Sequence, residues 1–310
     1  MKRLIKIIAA LLIVGAIIVG VMALLKGVNI DVLNPQGEIA RKEYQLIMFT
    51  LLLSLVVVIP VFVMLAVFSL RYRESNKRAA YRPNWDGNRL LEAIWWGIPC
   101  VIIVILGVVT WQSTHELDPY KDLESSVTPV NVQVVSLQWK WLFIYPDQQI
   151  ATVNELIIPE KTPINFTITS DAPMNAFWIP SLGSQVYAMS GMSTKLRLIA
   201  DRTGEYRGSS TNISGTGFAD MNFMAKSRTQ ADFDAWVQQT QRLDTALDET
   251  TYKVLAMPGA QEEPLYYTLQ DVDLYDKIIM KYMMPPAKNN DSHGADHDMH
   301  TGHAHMEGVQ

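Results

Sequence analysis

The chain has 310 residues, room for about two domains, and 49% of them are hydrophobic. The formal net charge is only -5 and Lys and Arg are scattered, a pattern that does not favour nucleic-acid binding. From Glu116 to Ser292 the sequence contains neither Cys nor His. That stretch therefore cannot form a zinc finger, a type-one copper site, or a Cys-His or Ser-His-Asp catalytic group.

Three apolar runs predict a membrane protein. Residues 7–25 follow a basic start, so residues 1–27 are interpreted as a signal or an extra transmembrane segment. Transmembrane helices are predicted over residues 46–70 and 90–112, because about 20 apolar residues cross the hydrocarbon core. Pro60 interrupts the first of these, and a neighbouring helix is expected to cover the carbonyl it frees.

The charges around the two spans predict their orientation. Residues 71–89 between the spans carry six Lys or Arg side chains, whereas the outer-face segment 28–45 carries two. Because basic residues concentrate on the cytoplasmic side, the loop 71–89 is predicted to be cytoplasmic. The remainder of the chain is then predicted to lie on the outer face of the membrane.

A β domain is predicted after the polar linker 113–126. Residues 130–135, 164–169 and 196–199 alternate apolar and polar side chains, as half-buried strands do. Turn-forming residues separate these segments, and the spacing favours a Greek-key sandwich over residues 127–226.

The composition changes at residue 227. Thr229 is a plausible N-cap with Asp232 three residues on, and Phe233, Trp236 and Val237 fall on one helical face. A helical arm is therefore predicted over residues 227–285, with a second helix over 270–283 before Pro285. Residues 286–310 are predicted to be a disordered, His-rich tail.

The segment 208–221, Gly-Ser-Ser-Thr-Asn-Ile-Ser-Gly-Thr-Gly-Phe-Ala-Asp-Met, is identified with a copper-holding loop that lacks its strong ligands. Two membrane spans followed by a β domain with this loop resemble subunit II of the haem-copper respiratory oxidases, whose outer domain is a cupredoxin fold. Copper-bearing members carry two Cys, a Glu midway, a His and a Met in this loop, and another His upstream. The matching positions here are Asn175, Ser210, Asn212, Ser214, Phe218 and Met221.

Loss of these ligands is what the quinol oxidase branch of the family shows, above all the cytochrome bo type. Further segments that resemble this branch include 72–77, 83–85, 139–146, 150–155 and 183–189, so that the similarity covers residues 28–285. The resemblance implies a non-redox subunit of a complex that oxidises membrane ubiquinol, reduces oxygen to water and pumps protons.

The resemblance also implies cofactors and partners. No cofactor is expected on this chain, while haems and one copper are expected in a catalytic subunit I, with smaller subunits III and IV also present. Membrane lipid and quinol are expected partners, and cytochrome c is not. A copper-bearing cytochrome c oxidase subunit is excluded by the ligand types, because Asn, Ser and Phe cannot replace His and two thiolates. A free-standing membrane-anchored cupredoxin-like assembly or binding protein remains the alternative.

Glu92 is a candidate for proton uptake, because a carboxylate inside an apolar span is costly and usually functional. The alternative is a helix-end carboxylate that reaches water. The resemblance matches Glu92 to a family glutamate near the mouth of a proton channel in the partner subunit.

Aromatic and sulfur side chains supply further candidates. Trp139 and Trp141 are predicted to pack and to contact the main subunit, and Lys140 between them to face water or a lipid phosphate. Met221 alone is predicted to be a core residue, since a single thioether is a weak copper ligand. The tail histidines could hold metal loosely, or the tail could be simply solvated. They are His293, His297, His300, His303 and His305.

Overall fold

The computed structural model describes Gly20 and residues 30–77, 84, 87–123 and 125–283. Apart from Gly20, the predicted signal or membrane segment 1–27 lies outside the described residues. Part of the loop 71–89 and the tail 286–310, with its five histidines, also lie outside them.

Among the residues that the structure describes, two long helices precede the β domain: α1 at Glu38–Arg71 and α2 at Arg89–Glu116. The two helices contain the predicted apolar spans, and both are long and apolar enough to cross a membrane. Their most apolar stretches are not buried against the rest of the chain. Helix α1 begins eight residues before the predicted start at residue 46, because its charged first turns pack on the β domain, where Ala40 is buried. Helix α2 likewise continues to Glu116, so the linker predicted to begin at residue 113 is partly helical.

In the described part of the chain, twelve strands form two sheets. The strands are β1 Val130–Leu137, β2 Lys140–Tyr145, β3 Ile150–Val153, β4 Glu155–Pro159, β5 Ile164–Ser170, β6 Asn175–Trp178, β7 Val186–Ala188, β8 Thr194–Leu198, β9 Gly204–Ser210, β10 Asn222–Arg228, β11 Ala246–Leu247 and β12 Leu265–Leu269. The seven-stranded sheet has the order β11-β12-β3-β2-β1-β5-β8, and the five-stranded sheet has the order β4-β10-β9-β6-β7. The predicted sandwich is confirmed.

Aromatic rings fill the space between the sheets. Phe177 of the smaller sheet stacks on Phe223 with ring centroids 5.1 Å apart and an interplanar angle of 5°. Trp141, from the larger sheet, meets Phe177 edge-on at 5.4 Å. Such offset and edge-to-face pairs add to the stabilisation from burial alone, and they fix how the two sheets face each other.

The segment after β10 contains helices α3 Gln230–Thr240, α4 Glu249–Leu255 and α5 Leu274–Met283. The predicted cap is present, since the Thr229 hydroxyl accepts a hydrogen bond from the Asp232 amide at 3.2 Å. The arm also contains two strands that the sequence did not predict, β11 and β12, which extend the larger sheet, with β12 pairing antiparallel to β3. A strand whose partner lies over 100 residues away leaves only a weak local signal.

The arm covers the outer face of the larger sheet. Leu142 and Ile144 of β2 point away from the central core, and they are buried against arm residues that include Leu255, Leu274 and Ile278. Strand β2 is therefore buried on both faces, although a sheet of a simple sandwich would expose one of them.

A buried carboxylate fastens the arm. The Asp171 side chain, just beyond β5, is almost fully buried and accepts hydrogen bonds from the hydroxyls of Tyr252 and Tyr282, each at 2.6 Å. The Lys281 ammonium lies 2.7 Å from the same carboxylate. Three donors from α4 and α5 thus converge on one side chain of the sandwich.

Candidate functional site

The six positions matched to copper ligands lie around one end of the sandwich. Asn175 opens β6, Ser210 closes β9, and the other four lie in the connection from β9 to β10. Strands β6 and β9 pair through Phe177 and Ser210, which brings Asn175 and Ser210 side by side.

Asn175 is completely buried and its amide group is satisfied by hydrogen bonds. Its Nδ2 donates to Ser136 Oγ at 2.8 Å and to the Pro173 carbonyl at 2.9 Å. Its Oδ1 accepts from Ser210 Oγ at 2.9 Å. A buried amide with its donors and acceptor engaged stabilises the fold, whereas an unpaired one would be costly.

The loop residues have separate structural roles. Asn212 Nδ2 donates to the Met174 carbonyl at 2.7 Å, and the Ser214 carbonyl accepts from Trp139 Nε1 at 3.2 Å. Phe218 is half-buried in a short 3-10 turn, and Met221 is buried in the core, as predicted for a packing residue.

These residues do not fit a dinuclear copper centre. The site provides an amide, hydroxyls, a phenyl ring and one thioether, whereas copper in such a site requires thiolates and imidazoles. The Asn175 and Ser210 polar atoms are also committed to each other at 2.9 Å. Within the part of the chain that the structure describes, no group of three or more His, Cys, Asp or Glu side chains could hold a metal.

The Trp139 indole packs against the loop that joins β9 to β10. Trp139 adopts a left-handed backbone conformation, with φ of 70°, in the tight turn between β1 and β2. Such a conformation is unusual for a bulky residue and persists only where the surroundings impose it. Gly217 lies against the indole so closely that a Cβ there would be 2.4 Å from Trp139 Cδ2.

Trp141 and Lys140 differ from their predicted placement. Trp141 has no exposed surface and packs between Phe177 and Phe223, so the prediction that it contacts a partner subunit is wrong. Lys140 was predicted to face water or lipid, but it is buried, and its Nζ donates to the Met257 carbonyl at 3.1 Å. Burial lowers the pKa of the Lys140 ammonium. Contact of the half-buried Trp139 with a partner stays a prediction.

Glu92 lies in the first turn of α2. The N-cap Asn88 accepts hydrogen bonds from the amides of Leu90 and Leu91 at 3.0 and 3.2 Å. Glu92 Oε1 in turn accepts from the Asn88 amide at 3.3 Å. This reciprocal arrangement stabilises the helix start, where the helix dipole also favours a negative charge. Glu92 thus has a structural role in addition to any role in proton uptake.

Sequence reasoning did not identify the buried carboxylates of Asp171 and Glu155. Glu155 is buried and pairs with the Lys226 ammonium and the Tyr266 hydroxyl, which join two strands of the sandwich to the arm. The sequence pattern around Glu155 and Asp171 does not reveal that tyrosine side chains of the arm reach these two carboxylates.

Three sequence families match consecutive parts of the chain, and their limits agree with those of the helices, the sandwich and the arm. Residues 37–112 match the transmembrane domain of cytochrome c oxidase subunit II, and residues 111–228 match the periplasmic domain of that subunit. Residues 243–286 match the COX aromatic rich motif. These matches identify α1 and α2 as a membrane hairpin followed by a cupredoxin-like domain.

Curated relatives match most of the chain. Cytochrome bo(3) ubiquinol oxidase subunit 2 of Pseudomonas aeruginosa is 47% identical over 282 residues, which cover 91% of this chain and 84% of that protein. The protein of the same name from Pseudomonas putida is 48% identical, over 84% of this chain and 83% of that protein. Ubiquinol oxidase subunit 2 of Acetobacter aceti is 45% identical, over 84% and 85% respectively. The chain therefore belongs to the family of ubiquinol oxidase subunit 2 proteins.

Proposed function

We propose that this chain is the non-redox subunit II of a terminal ubiquinol oxidase in a bacterial inner membrane. The complex oxidises membrane ubiquinol, reduces oxygen to water and pumps protons. The chain anchors and stabilises the catalytic subunit, and its outer domain carries no electrons.

The hydrogen-bonded pair of Asn175 and Ser210 supports this proposal most directly. It occupies two copper-ligand positions with side chains that satisfy each other at 2.9 Å. A soluble donor on the outer face would need a metal relay in this domain. Quinol is already dissolved in the bilayer, so its oxidation requires none here.

The exposed apolar surfaces of α1 and α2 support a role in assembly. Both helices present large side chains outward along their apolar stretches, including Phe62 and Trp96. Pro60 and Pro99 lie inside the two helices, and the carbonyls that they free need protein cover in a bilayer. We assign the haems and the single copper to a catalytic subunit I that packs on this surface, with subunits III and IV completing the complex.

Glu92 is proposed to assist proton uptake at the cytoplasmic end of α2. Its support is a position at the membrane boundary, in a side chain that is exposed on the isolated chain and available to a partner. The cap hydrogen bond to Asn88 holds the carboxylate near the helix start.

Purification of the chain from its native membrane in mild detergent tests the proposal. We expect haem and one copper to copurify, with oxygen uptake that depends on ubiquinol and is not supported by reduced cytochrome c. Two additional coppers per complex would contradict the non-redox assignment. Purification without any haem protein would favour the alternative, a membrane-anchored assembly or binding protein.

A further inference from the structure

The basic side chains at the outer end of α1 are paired with acids of the same chain. The Arg41 guanidinium lies 2.7 Å from the Asp201 carboxylate. The Lys42 ammonium lies 2.9 Å from the carboxylates of both Glu38 and Glu116. The positive charges at this end of the helix are therefore neutralised within the chain.

The inner end of α1 carries basic side chains without such partners. We define the inner basic cluster as Arg71, Arg73 and Lys77, all three of which are exposed. Among the residues that the structure describes, no acidic side chain forms an ion pair with any of them, although Glu74 lies in the same turn and is also exposed. The helix dipole favours a cation within the last helical turn, which accounts for Arg71 but not for the two cations beyond the helix end. The cluster thus presents positive charge that the described part of the chain does not neutralise.

Hydrogen bonds hold the inner basic cluster in one compact turn. The Tyr72 amide donates to the Phe68 carbonyl at 2.9 Å, which ends the helix. The Asn76 amide donates to the Arg73 carbonyl at 2.9 Å, and the Asn76 side-chain amide donates to the Arg71 carbonyl. The segment therefore folds back on itself, and the cluster lies on a single turn at the helix end.

The position of this turn relative to the membrane follows from the fold and the family matches. Residues 37–112 match a transmembrane domain and residues 111–228 match a periplasmic domain, so the end of α1 far from the sandwich faces the cytoplasm. The exposed apolar surface of α1 extends as far as Leu70. Tyr72 follows and is also exposed, and tyrosine side chains concentrate at the level of the lipid headgroups. The inner basic cluster therefore lies at the depth of the lipid phosphates in the cytoplasmic leaflet.

We infer that the inner basic cluster binds the phosphate group of an anionic phospholipid. Guanidinium groups match phosphate oxygens through paired hydrogen bonds, and a lysine ammonium adds a point charge. Each basic side chain close to an anionic lipid surface strengthens binding by about fivefold. A phospholipid fits both parts of this surface, because its acyl chains can lie along exposed apolar residues such as Phe68 while its phosphate meets the cations. The site does not depend on the proposed quinol oxidase activity.

A fluorophore placed in the turn tests the inference in the assembled complex. Ser75→Cys, with the native Cys100 changed to Ser, provides the labelling position, and the complex without Ser75→Cys supplies the background. The complex is reconstituted in phosphatidylcholine vesicles that contain phosphatidylglycerol with a nitroxide near its headgroup. Quenching is compared with that by phosphatidylcholine that carries the same nitroxide. We expect half-maximal quenching at a mole fraction of phosphatidylglycerol about tenfold lower than that of phosphatidylcholine, and the difference should shrink as added salt screens the charges.

The triple variant Arg71→Gln, Arg73→Gln and Lys77→Gln should remove the preference for phosphatidylglycerol. Arg41→Gln is the matched control on the same helix, because Arg41 is already paired with Asp201, and it should leave the preference unchanged.

Equal quenching by the two lipids before any change to the cluster would overturn the inference, and so would an unchanged preference in the triple variant. The first comparison needs no substitution in the cluster, so it decides the inference even if the triple variant does not assemble. Quinol-dependent oxygen uptake, measured on the same samples, reports separately on the proposed function.

Discussion

At the scale of single residues, Asn175 and Ser210 are committed to hydrogen bonds within the sandwich. Asn175 contacts Ser136, Ser210 and the Pro173 carbonyl within 2.9 Å. The residues matched to copper ligands lie around one end of the sandwich. These hydrogen bonds tie β6 to β9 and to β1, so they hold together the same end of the sandwich.

Replacing Asn175 by Ala should lower the free energy of unfolding by about 1 to 3 kcal/mol, because Ser136 and Ser210 lose a buried partner. Thermal unfolding of the full chain in detergent measures the effect. Asn131→Ala provides the control, since Asn131 is an exposed residue on β1 and its change should be within about 0.5 kcal/mol. Equal effects of the two changes would contradict a structural role for the network.

Gly217 tests the role of Trp139. A methyl group at Gly217 would overlap the indole, so Gly217→Ala should destabilise the loop by about 1 to 3 kcal/mol. Trp fluorescence and proteolysis of the loop should change together. Gly259→Ala adds a methyl group in open space and serves as the comparison. A silent Gly217→Ala would show that the loop can move away from the indole without cost.

Glu92 can be tested by separating its charge from its cap hydrogen bond. Glu92→Gln keeps a carbonyl that accepts from the Asn88 amide and removes the titrating group. If Glu92 assists proton uptake, Gln should slow turnover and proton pumping in vesicles while assembly stays normal. If Glu92 only caps the helix, Gln should match the original chain, and Glu92→Ala alone should impair assembly.

At the scale of elements, the packing of the arm on the sandwich is stabilised by neutral tyrosines that donate hydrogen bonds to Asp171. Burial, followed by the hydrogen bond to the Asp171 carboxylate, raises the pKa of Tyr252, and the same two causes raise the pKa of Tyr282 to about 12. The unfolded chain loses these protons near pH 10, whereas the folded arm retains them. The stabilisation is therefore complete below pH 10 and is lost as pH rises above it.

We expect the arm to become sensitive to protease as pH rises from about 10 towards 12. Tyr252→Phe removes one titrating group, so its stability should decline less steeply over the same range, although its starting stability is lower. The Lys281 ammonium also faces Asp171, and Lys281→Met shows how much of the slope comes from that amine. A Tyr252→Phe slope identical to that of the original chain would contradict the tyrosine assignment.

Sequence patterns predicted some elements well because those elements are determined locally. The apolar runs of α1 and α2 and the cap at Thr229 are local signals, and both are present. Strand β12 was missed because its pairing with β3 joins Leu265 to Val153, far apart in the chain. Alternation also cannot show that the arm buries the second face of β2, which is why Lys140 was placed at the surface.

For the candidate site too, residue types predicted the chemistry, whereas the contacts between side chains became known only from the fold. The chemistry absent from Asn175 and Ser210 could be read from residue types, because copper ligation depends on ligand identity. Their mutual hydrogen bond could not, because Ser136 joins it from a strand with no distinguishing motif. The hydrogen bonds to Asp171 likewise need donors from two arm helices, and those helices converge only in the folded chain.

At the scale of the whole molecule, the outer turns of α1 are docked on the sandwich. The Ala40 amide donates to the Leu182 carbonyl at 3.2 Å, and Arg41 pairs with Asp201 at 2.7 Å. Lys42 also pairs with Glu116 at 2.9 Å, which joins α1 to the end of α2. Arg197 secures the linker through Asp122 at 2.6 Å. The membrane hairpin and the sandwich are thus connected at several points.

Gly37 is the tightest of these points, because a Cβ there would lie 2.4 Å from the Ile199 carbonyl oxygen. Gly37→Ala should loosen the docking of α1. Spin labels on the native Cys100 of α2 and on Asn131→Cys of the sandwich would report a broader distance distribution. Gly259→Ala in the same doubly labelled chain should leave the distribution unchanged, and equal distributions in both would contradict rigid docking.

Helix α1 has 34 residues, a length of about 51 Å at 1.5 Å per residue. A hydrocarbon core of about 30 Å covers little more than half of it. The sandwich is attached to the outer end of this helix, so a change in helix tilt moves the sandwich. A tilt change of about 10°, small beside the range found for membrane helices, moves the far end by roughly 9 Å. Lipid thickness, through helix tilt, thus becomes a variable that sets where the outer domain sits above the membrane.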